Sequence, residues 1–216
     1  WLAKREDLEL MVLRYIGEED ARARAAAESS LVAVLERHWP QGQRVAALTS
    51  EFPLQTKQTQ AWQGLMTMLA QLGEPIGLEL VRSTMQSSSR ELRRSAVEAL
   101  AAWPSAAPLH DLYSLAHASA PQELRTEALR GYFRLLTLPS ERSPEESMRL
   151  YARGLALTDD SETRRIALSG LAEVAHPGIV EAAEPYAADP NLAPLVDKIR
   201  ENASSLTKTP TAPAQS

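Results

Sequence analysis

Residues 91–100 read Glu91-Leu92-Arg93-Arg94-Ser95-Ala96-Val97-Glu98-Ala99-Leu100. Three, four and seven positions beyond Arg93 stand Ala96, Val97 and Leu100, an apolar stripe at the spacing of one α-helical face. Glu91, two positions before Arg93, falls in the first helical turn, where the helix dipole favours negative charge. The same frame recurs along the chain. Set on Arg22 it gives Ala25, Ala26 and Ser29; on Arg125, Ala128, Leu129 and Tyr132; on Arg164, Ala167, Leu168 and Leu171. Gln58 opens a further copy with Ala61, Trp62 and Leu65, and Thr56 takes the acidic position. Ala at the first stripe position of every copy predicts a close approach by another helix. Six positions after the anchor, Gly64, Gly131 and Gly170 recur, with Ala99 in a fourth copy. Mid-helix Gly costs about 1 kcal/mol relative to Ala, so this recurrence also points to close packing. The acidic residue and the Arg are expected to form a ladder of contacts between stacked units.

Five of the 14 prolines, Pro40, Pro75, Pro108, Pro144 and Pro177, are spaced 35, 33, 36 and 33 residues apart, each before a helical pattern. Pro suits the first helical position because its missing N–H has no partner there and its φ is already near the helical value. The two signals together predict a repeat of about 35 residues, each a pair of helices. First helices are expected over 2–16, 41–51, 75–86, 107–118, 144–157 and 178–188. Their partners are expected over 19–38, 56–72, 90–102, 122–137, 161–175 and 191–203. Antiparallel pairs that each expose an apolar face bury it by stacking, which is how an α-solenoid forms. The segment 138–144 lengthens one unit to 39 residues between Arg125 and Arg164, and is expected to be a loop peculiar to this protein. Residues 1–203 are read as one solenoid domain. The Ser/Thr/Pro/Ala-rich stretch 204–216 is read as a disordered tail or linker.

Composition agrees and excludes. The chain has 216 residues, 44% hydrophobic and only 5% aromatic, with 9 Gly, so there is ample core material but an all-β fold is a poor fit. Cysteine is absent, which rules out disulfide scaffolds, thiolate metal sites and thiol nucleophiles. The net charge of −5 argues against nonspecific nucleic-acid binding, which needs a basic stripe. No apolar run approaches the roughly 20 residues of a membrane helix. Because the chain starts at Trp1 already in a helical pattern, it is expected to be part of a longer polypeptide.

Helix pairs of this length, a Pro opening the first helix and an acidic-x-Arg-x-x-Ala start to the second resemble HEAT repeats. The clearest copies are Glu91–Leu100 and Ser161–Val174, and the pattern covers about residues 20–190. The resemblance implies an all-α fold, a right-handed α-α superhelix of about six antiparallel helix pairs. The stretch 124–189 also resembles HEAT modules of large multidomain bacterial proteins, many exported, some alongside sugar-processing domains. The usual Asp six positions before the Arg is missing, since Ser87, Ser119 and Thr158 stand there. HEAT membership implies binding and scaffolding and supplies no active-site residues.

The chemistry-bearing residues give no constellation. His110 and His117, seven apart beside Asp111, lack a third converging ligand, so no metal and no cofactor are expected. His38 and His176 are assigned to helix ends, meeting orphan carbonyls. No Gly-x-Ser-x-Gly elbow or phosphate-cradling loop occurs. The acidic pairs Glu18-Glu19, Glu145-Glu146 and Asp159-Asp160 sit where helices start and read as caps. Trp39 and Trp103 read as plugs between helices.

Two, five and nine positions after the anchors lie Gln60, Gln63 and Thr67; Ser95, Glu98 and Ala102; Glu127, Arg130 and Arg134; and Ile166, Ser169 and Glu173. In HEAT proteins this second-helix face lines the concave side. Its mixed charge suits a protein partner or a neighbouring domain. Arg94, Glu98, Arg130, Arg134, Arg165 and Glu173 are therefore the candidate partner-binding residues. The expected function is a noncatalytic interaction scaffold. The alternatives are an accessory module of a larger enzyme, exported and sugar-processing by the resemblance, and a HEAT-like nucleic-acid reader or lyase.

Overall fold

The computed structural model describes residues 5–53, 59–118 and 120–208. Among them every regular element is helical and no strand occurs. A 3-10 turn at Arg5–Asp7 leads into α1 (Leu8–Gly17), followed by α2 (Ala21–His38), α3 (Arg44–Glu51), α4 (Thr59–Leu72), α5 (Pro75–Thr84) and α6 (Arg90–Ala101). Then come α7 (Leu109–His117), α8 (Gln122–Leu136), α9 (Pro144–Leu155), α10 (Ser161–Leu171), the short α11 (Ile179–Ala183) with a 3-10 turn at Glu184–Tyr186, and α12 (Ala193–Lys208). Each expected pair is present. The last helix runs past the expected end at 203 to Lys208, so part of the presumed tail is helical; residues 209–216 lie outside the described residues.

The chain divides into two compact units, Trp1–Asp111 and Leu112–Ser216. In the first, α1 packs on α2, α3 on α4 and α5 on α6; first helices touch first helices (α1 on α3, α3 on α5) and second helices touch second helices (α2 on α4, α4 on α6). In the second, α9 packs on α10 and α11 on α12, with α9 on α11, α8 on α10 and α10 on α12. Pairs stacked in two layers inside each unit make this an all-α fold of the α-solenoid class.

The stripe is what drives the stacking. Ala96, Val97 and Leu100, Ala128, Leu129 and Tyr132, and Ala167, Leu168 and Leu171 are all buried. In the copy set on Gln58, which lies outside the described residues with Thr56, Ala61 and Leu65 are buried too. The copy set on Arg22 is misplaced, for Ala25, Ala26 and Ser29 are exposed. Moved two residues on, to Arg24, the frame falls on half-buried Ala27 and Glu28 and buried Leu31. The helix can slide because α2 is Ala-rich at every offset; only the stripe after it, with Leu31, Val32, Val34 and Leu35, fixes which face goes inward.

The anchor arginines do not build a ladder between units. Each turns back on the corner that precedes its own helix. Arg24 donates from Nη2 to the Glu18 carbonyl at 2.6 Å, Arg93 from Nη1 to the Ser87 carbonyl at 3.0 Å, and Arg164 from Nε to the Thr158 carbonyl at 2.9 Å. The residue six before each Arg does a second job. Its side-chain oxygen accepts the N–H two residues on, at Asp20, Ser89 and Asp160, and those three are the N-caps of α2, α6 and α10. The cap side chains then accept from Ala23, Leu92 and Thr163. The missing Asp is therefore replaced by a backbone acceptor, and the Ser or Thr found there completes the corner. Arg125 departs from this, reaching the Ala116 carbonyl at 3.0 Å; Ser119 lies outside the described residues.

Pro75 and Pro144 open α5 and α9 at the first turn, whereas Pro40, Pro108 and Pro177 precede their helices. The turn between Pro40 and α3 is held from the next repeat. Glu74, 1% exposed, accepts the N–H groups of Gly42 at 2.7 Å, Val45 at 3.0 Å and Arg44 at 3.3 Å. A carboxylate set on the dipole end of another helix satisfies its orphan donors and ties two successive repeats of the first unit together. Other cross-repeat ties are Arg82 to Asp111, at 2.8 and 3.2 Å, and Lys198 to Glu173 at 3.0 Å. His176 is not a carbonyl donor at its helix end; its Nδ1 accepts the Gly178 N–H at 3.0 Å. Trp39 and Trp103 are buried, as plugs would be.

Two of the three recurring glycines, Gly64 and Gly170, are explained by tyrosines. A Cβ on Gly64 would overlap the Tyr15 hydroxyl, and one on Gly170 would overlap that of Tyr151. Glu28, half-buried against Tyr15, is raised above the ordinary glutamate range chiefly by desolvation. Its ionised form is thus penalised in the folded state, and the penalty fades as pH falls through the raised value toward the unfolded ~4.3. Glu28→Gln is expected to melt higher than the parent at pH 7, with the gain shrinking toward pH 4, as followed by circular dichroism. Glu74→Ala is expected to lower the unfolding free energy by about 2 kcal/mol in urea titrations, since it strands three donors at a helix end.

Candidate functional site

The positions expected to form a binding face come together in the first unit as a groove of about 410 Å³ between α4 and α6. Gln63, Thr67 and Gln71 line it from α4; Ser95, Glu98 and Ala102 from α6 and its end. These residues share the groove because α4 packs along α6, and the small buried side chains of Ala70 and Ala99 line it beside the polar row of each helix. Ser95 is turned in, its hydroxyl bonded to the Glu91 carbonyl at 3.0 Å. Gln71 continues the row beyond Thr67 and was not singled out in the sequence. Its signal is the helical step of four residues past Thr67.

Of the six candidate residues, Arg94 and Glu98 lie on α6, Arg130 and Arg134 on α8, Arg165 on α10, and Glu173 just after α10; all are exposed. Glu98 alone lines the α4/α6 groove, among the residues named for it. Arg94 bonds to Glu98 at 2.8 Å on the same helix. Arg130 does not form a cationic patch: its Nε donates to Thr163 and its Nη2 to Asp160, both at 3.2 Å, so it crosses from α8 to the N-cap of α10. Asp160 is held below the usual carboxylate range, first by the Thr163 hydroxyl and amide and then by Arg130. Arg165 is clamped to Glu162 at 2.5 and 2.8 Å, and this hydrogen bond depresses the Glu162 carboxyl. Glu173 is taken by Lys198. Arg94, Arg130 and Arg165 therefore present neutralised pairs rather than a basic spot.

Exposed pairs of this kind are worth little to the fold and exchange readily for a partner's charges. The arrangement offers amide and hydroxyl hydrogen bonds along the groove, with Glu98 and its tethered Arg94 at the edge. No cluster of three or more His, Asp or Glu that could hold a metal occurs among the described residues. Asp111, next to His110, is committed to Arg82. No described helix is long and apolar enough to cross a membrane.

No family model matches the chain, and neither does any curated protein. Among solved structures it is similar to an engineered protein, with a TM-score of 0.52 and 18% identity over 93% of this chain and 97% of that one. It is also similar to a designed armadillo repeat protein (TM-score 0.47, 14% identity, 92% and 98% covered). A third is an armadillo repeat protein computationally designed for modular peptide recognition (TM-score 0.44, 15% identity, 93% and 98% covered). At these identities the likeness is one of fold. The stacked helix pairs and the likeness to the first of these structures define a helical-repeat solenoid.

Glu98→Gln breaks the Arg94 pair on the groove wall without touching the buried stripe. It is expected to change stability by no more than about 0.5 kcal/mol, measured by denaturant titration, leaving this wall free to be read for binding alone.

Proposed function

We propose that the chain is a HEAT-type scaffold without catalytic residues of its own, which binds a segment of a protein partner in the groove between α4 and α6. The observation that supports this reading is the row of Gln63, Thr67 and Gln71 facing Glu98 across a groove about 410 Å³ in volume. Side-chain amides both donate and accept, so they match the backbone of a peptide whatever its side chains. A HEAT origin is supported by the acidic-x-Arg-x-x-Ala starts and by the repeated corner in which the Arg closes on the preceding turn. A protein partner fits better than nucleic acid, because the net charge is −5 and Arg94, Arg130 and Arg165 are already matched by acids. In this reading Arg130, Arg134, Arg165 and Glu173 are further partner-binding residues, on the second unit, of a repeat module spanning residues 1–203.

Selection of peptides from a random display library against the whole chain, followed by affinity measurement, tests the proposal. Gln71→Leu and Glu98→Lys are expected to weaken the selected peptides about tenfold, with a smaller loss for the pair Arg130→Glu and Arg134→Glu. Peptides indifferent to the groove substitutions would remove the groove as the binding site.

A further inference from the structure

Buried tyrosine hydroxyls need acceptors, and two of the three buried tyrosines have them. Tyr15 donates to the Ala61 carbonyl at 3.2 Å and to Glu28 at 3.4 Å, and Tyr132 donates to the Leu150 carbonyl at 2.9 Å. Tyr151, 2% exposed, has no hydrogen-bond partner among the described residues. It makes the same tyrosine-over-glycine contact as Tyr15, with Gly170 in the place of Gly64. The carbonyl that Ala61 supplies to Tyr15 has no counterpart bonded to Tyr151.

A second unmatched donor stands at the same place. Arg142, in the loop that joins α8 to α9, donates through Nη2 to the carbonyls of Leu136 at 3.0 Å and Leu138 at 3.4 Å. Its Nε–H is the one buried side-chain polar group without an acceptor among the described residues, and no carboxylate there pairs with its charge. Tyr151, Arg142 and Gly170 line a pocket of about 500 Å³, together with Leu138, Ser147 and Glu173. Glu173 is neutralised by Lys198 at 3.0 Å, which leaves the guanidinium of Arg142 uncompensated. Burial pushes the Tyr151 phenol up to about 12, with Arg142 opposing, so at neutral pH it is a donor. The Arg142 Nε–H is the one buried donor left unmet, whereas the Tyr151 hydroxyl, equally without an acceptor, opens on the pocket, where an anionic acceptor gains charge-assisted bonds.

We propose that this pocket binds a carboxylate, taking it on the Tyr151 hydroxyl beside the charge of the Arg142 guanidinium, with Leu138 against the aliphatic group that carries it. The site shares no donor with the α4/α6 groove and does not rest on the scaffold reading. A carboxylate of this description is either the C-terminus of a peptide or a free organic acid.

The test follows the Arg142 Nε–H resonance of the ¹⁵N-labelled whole chain during titration with three probes: hexanoate, an N-acetylated peptide ending in Leu with a free carboxylate, and the same peptide as its C-terminal amide. A saturable shift with a carboxylate and none with the amide is expected. Tyr151→Phe, whose lost hydroxyl made no bond, is expected to keep the parent melting temperature and lose about tenfold in affinity. Saturation by hexanoate as well as by the peptide identifies free acids as ligands, and saturation by the peptide alone identifies chain termini. An unshifted Arg142 resonance, equal binding of the amide, or full affinity in Tyr151→Phe would overturn the proposal.

Discussion

A helix of ten to fifteen residues with one apolar stripe cannot bury that stripe against its antiparallel partner alone, and the architecture follows from this constraint. In α6, α8 and α10 the stripe begins with Ala96, Ala128 and Ala167, all fully buried, so the neighbouring helix comes close to the backbone. Leu100, Tyr132 and Leu171 then fill the space about one turn further on. Each pair is completed only by the next, and second helices accordingly run beside second helices within each unit.

The corners make that stacking regular. Arg24, Arg93 and Arg164 each sit four residues after an N-cap and close on the carbonyl six residues before themselves. This spends the guanidinium on the geometry within one pair, fixing the angle at which the second helix leaves the first. Ties between pairs fall mainly to other residues, although the Arg164 guanidinium also lies over the Tyr186 ring, 5.4 Å from its centroid. Glu74 reaches the start of α3, Arg82 reaches Asp111, and Arg130 reaches Asp160. Apart from Arg164, which does both, the repeat thus assigns the shape of a pair and the joining of pairs to different side chains.

The same contact can be structural in one copy and open in another. Tyr15 over Gly64 is closed by Ala61 and Glu28, whereas Tyr151 over Gly170 borders a pocket and shares it with Arg142. The difference arises in the loop 138–144, whose extra residues bring Arg142 back against the end of α8. The polar rows of α4 and α6 likewise share one groove because the two helices pack side by side, with the small residues Ala70 and Ala99 also lining it.

Local rules were enough for much of this. Periodicity at i, i+3, i+4 and i+7, proline placement and acidic first-turn residues located the helix pairs to within a few residues, because each rests on neighbours in the chain. They also marked Gln63, Thr67, Ser95 and Glu98 as one face. What they left undecided depended on partners distant in sequence or on a free choice between equal offsets. The frame on α2 slipped by two residues because an Ala-rich helix has no unique apolar side until Leu31 and Leu35 are packed. The fate of the anchor arginines, the burial of Glu74 under a helix 30 residues away and the unmet donors of Tyr151 and Arg142 were decided by tertiary structure alone, since a hydrogen bond is fixed by where two chains meet and not by either sequence.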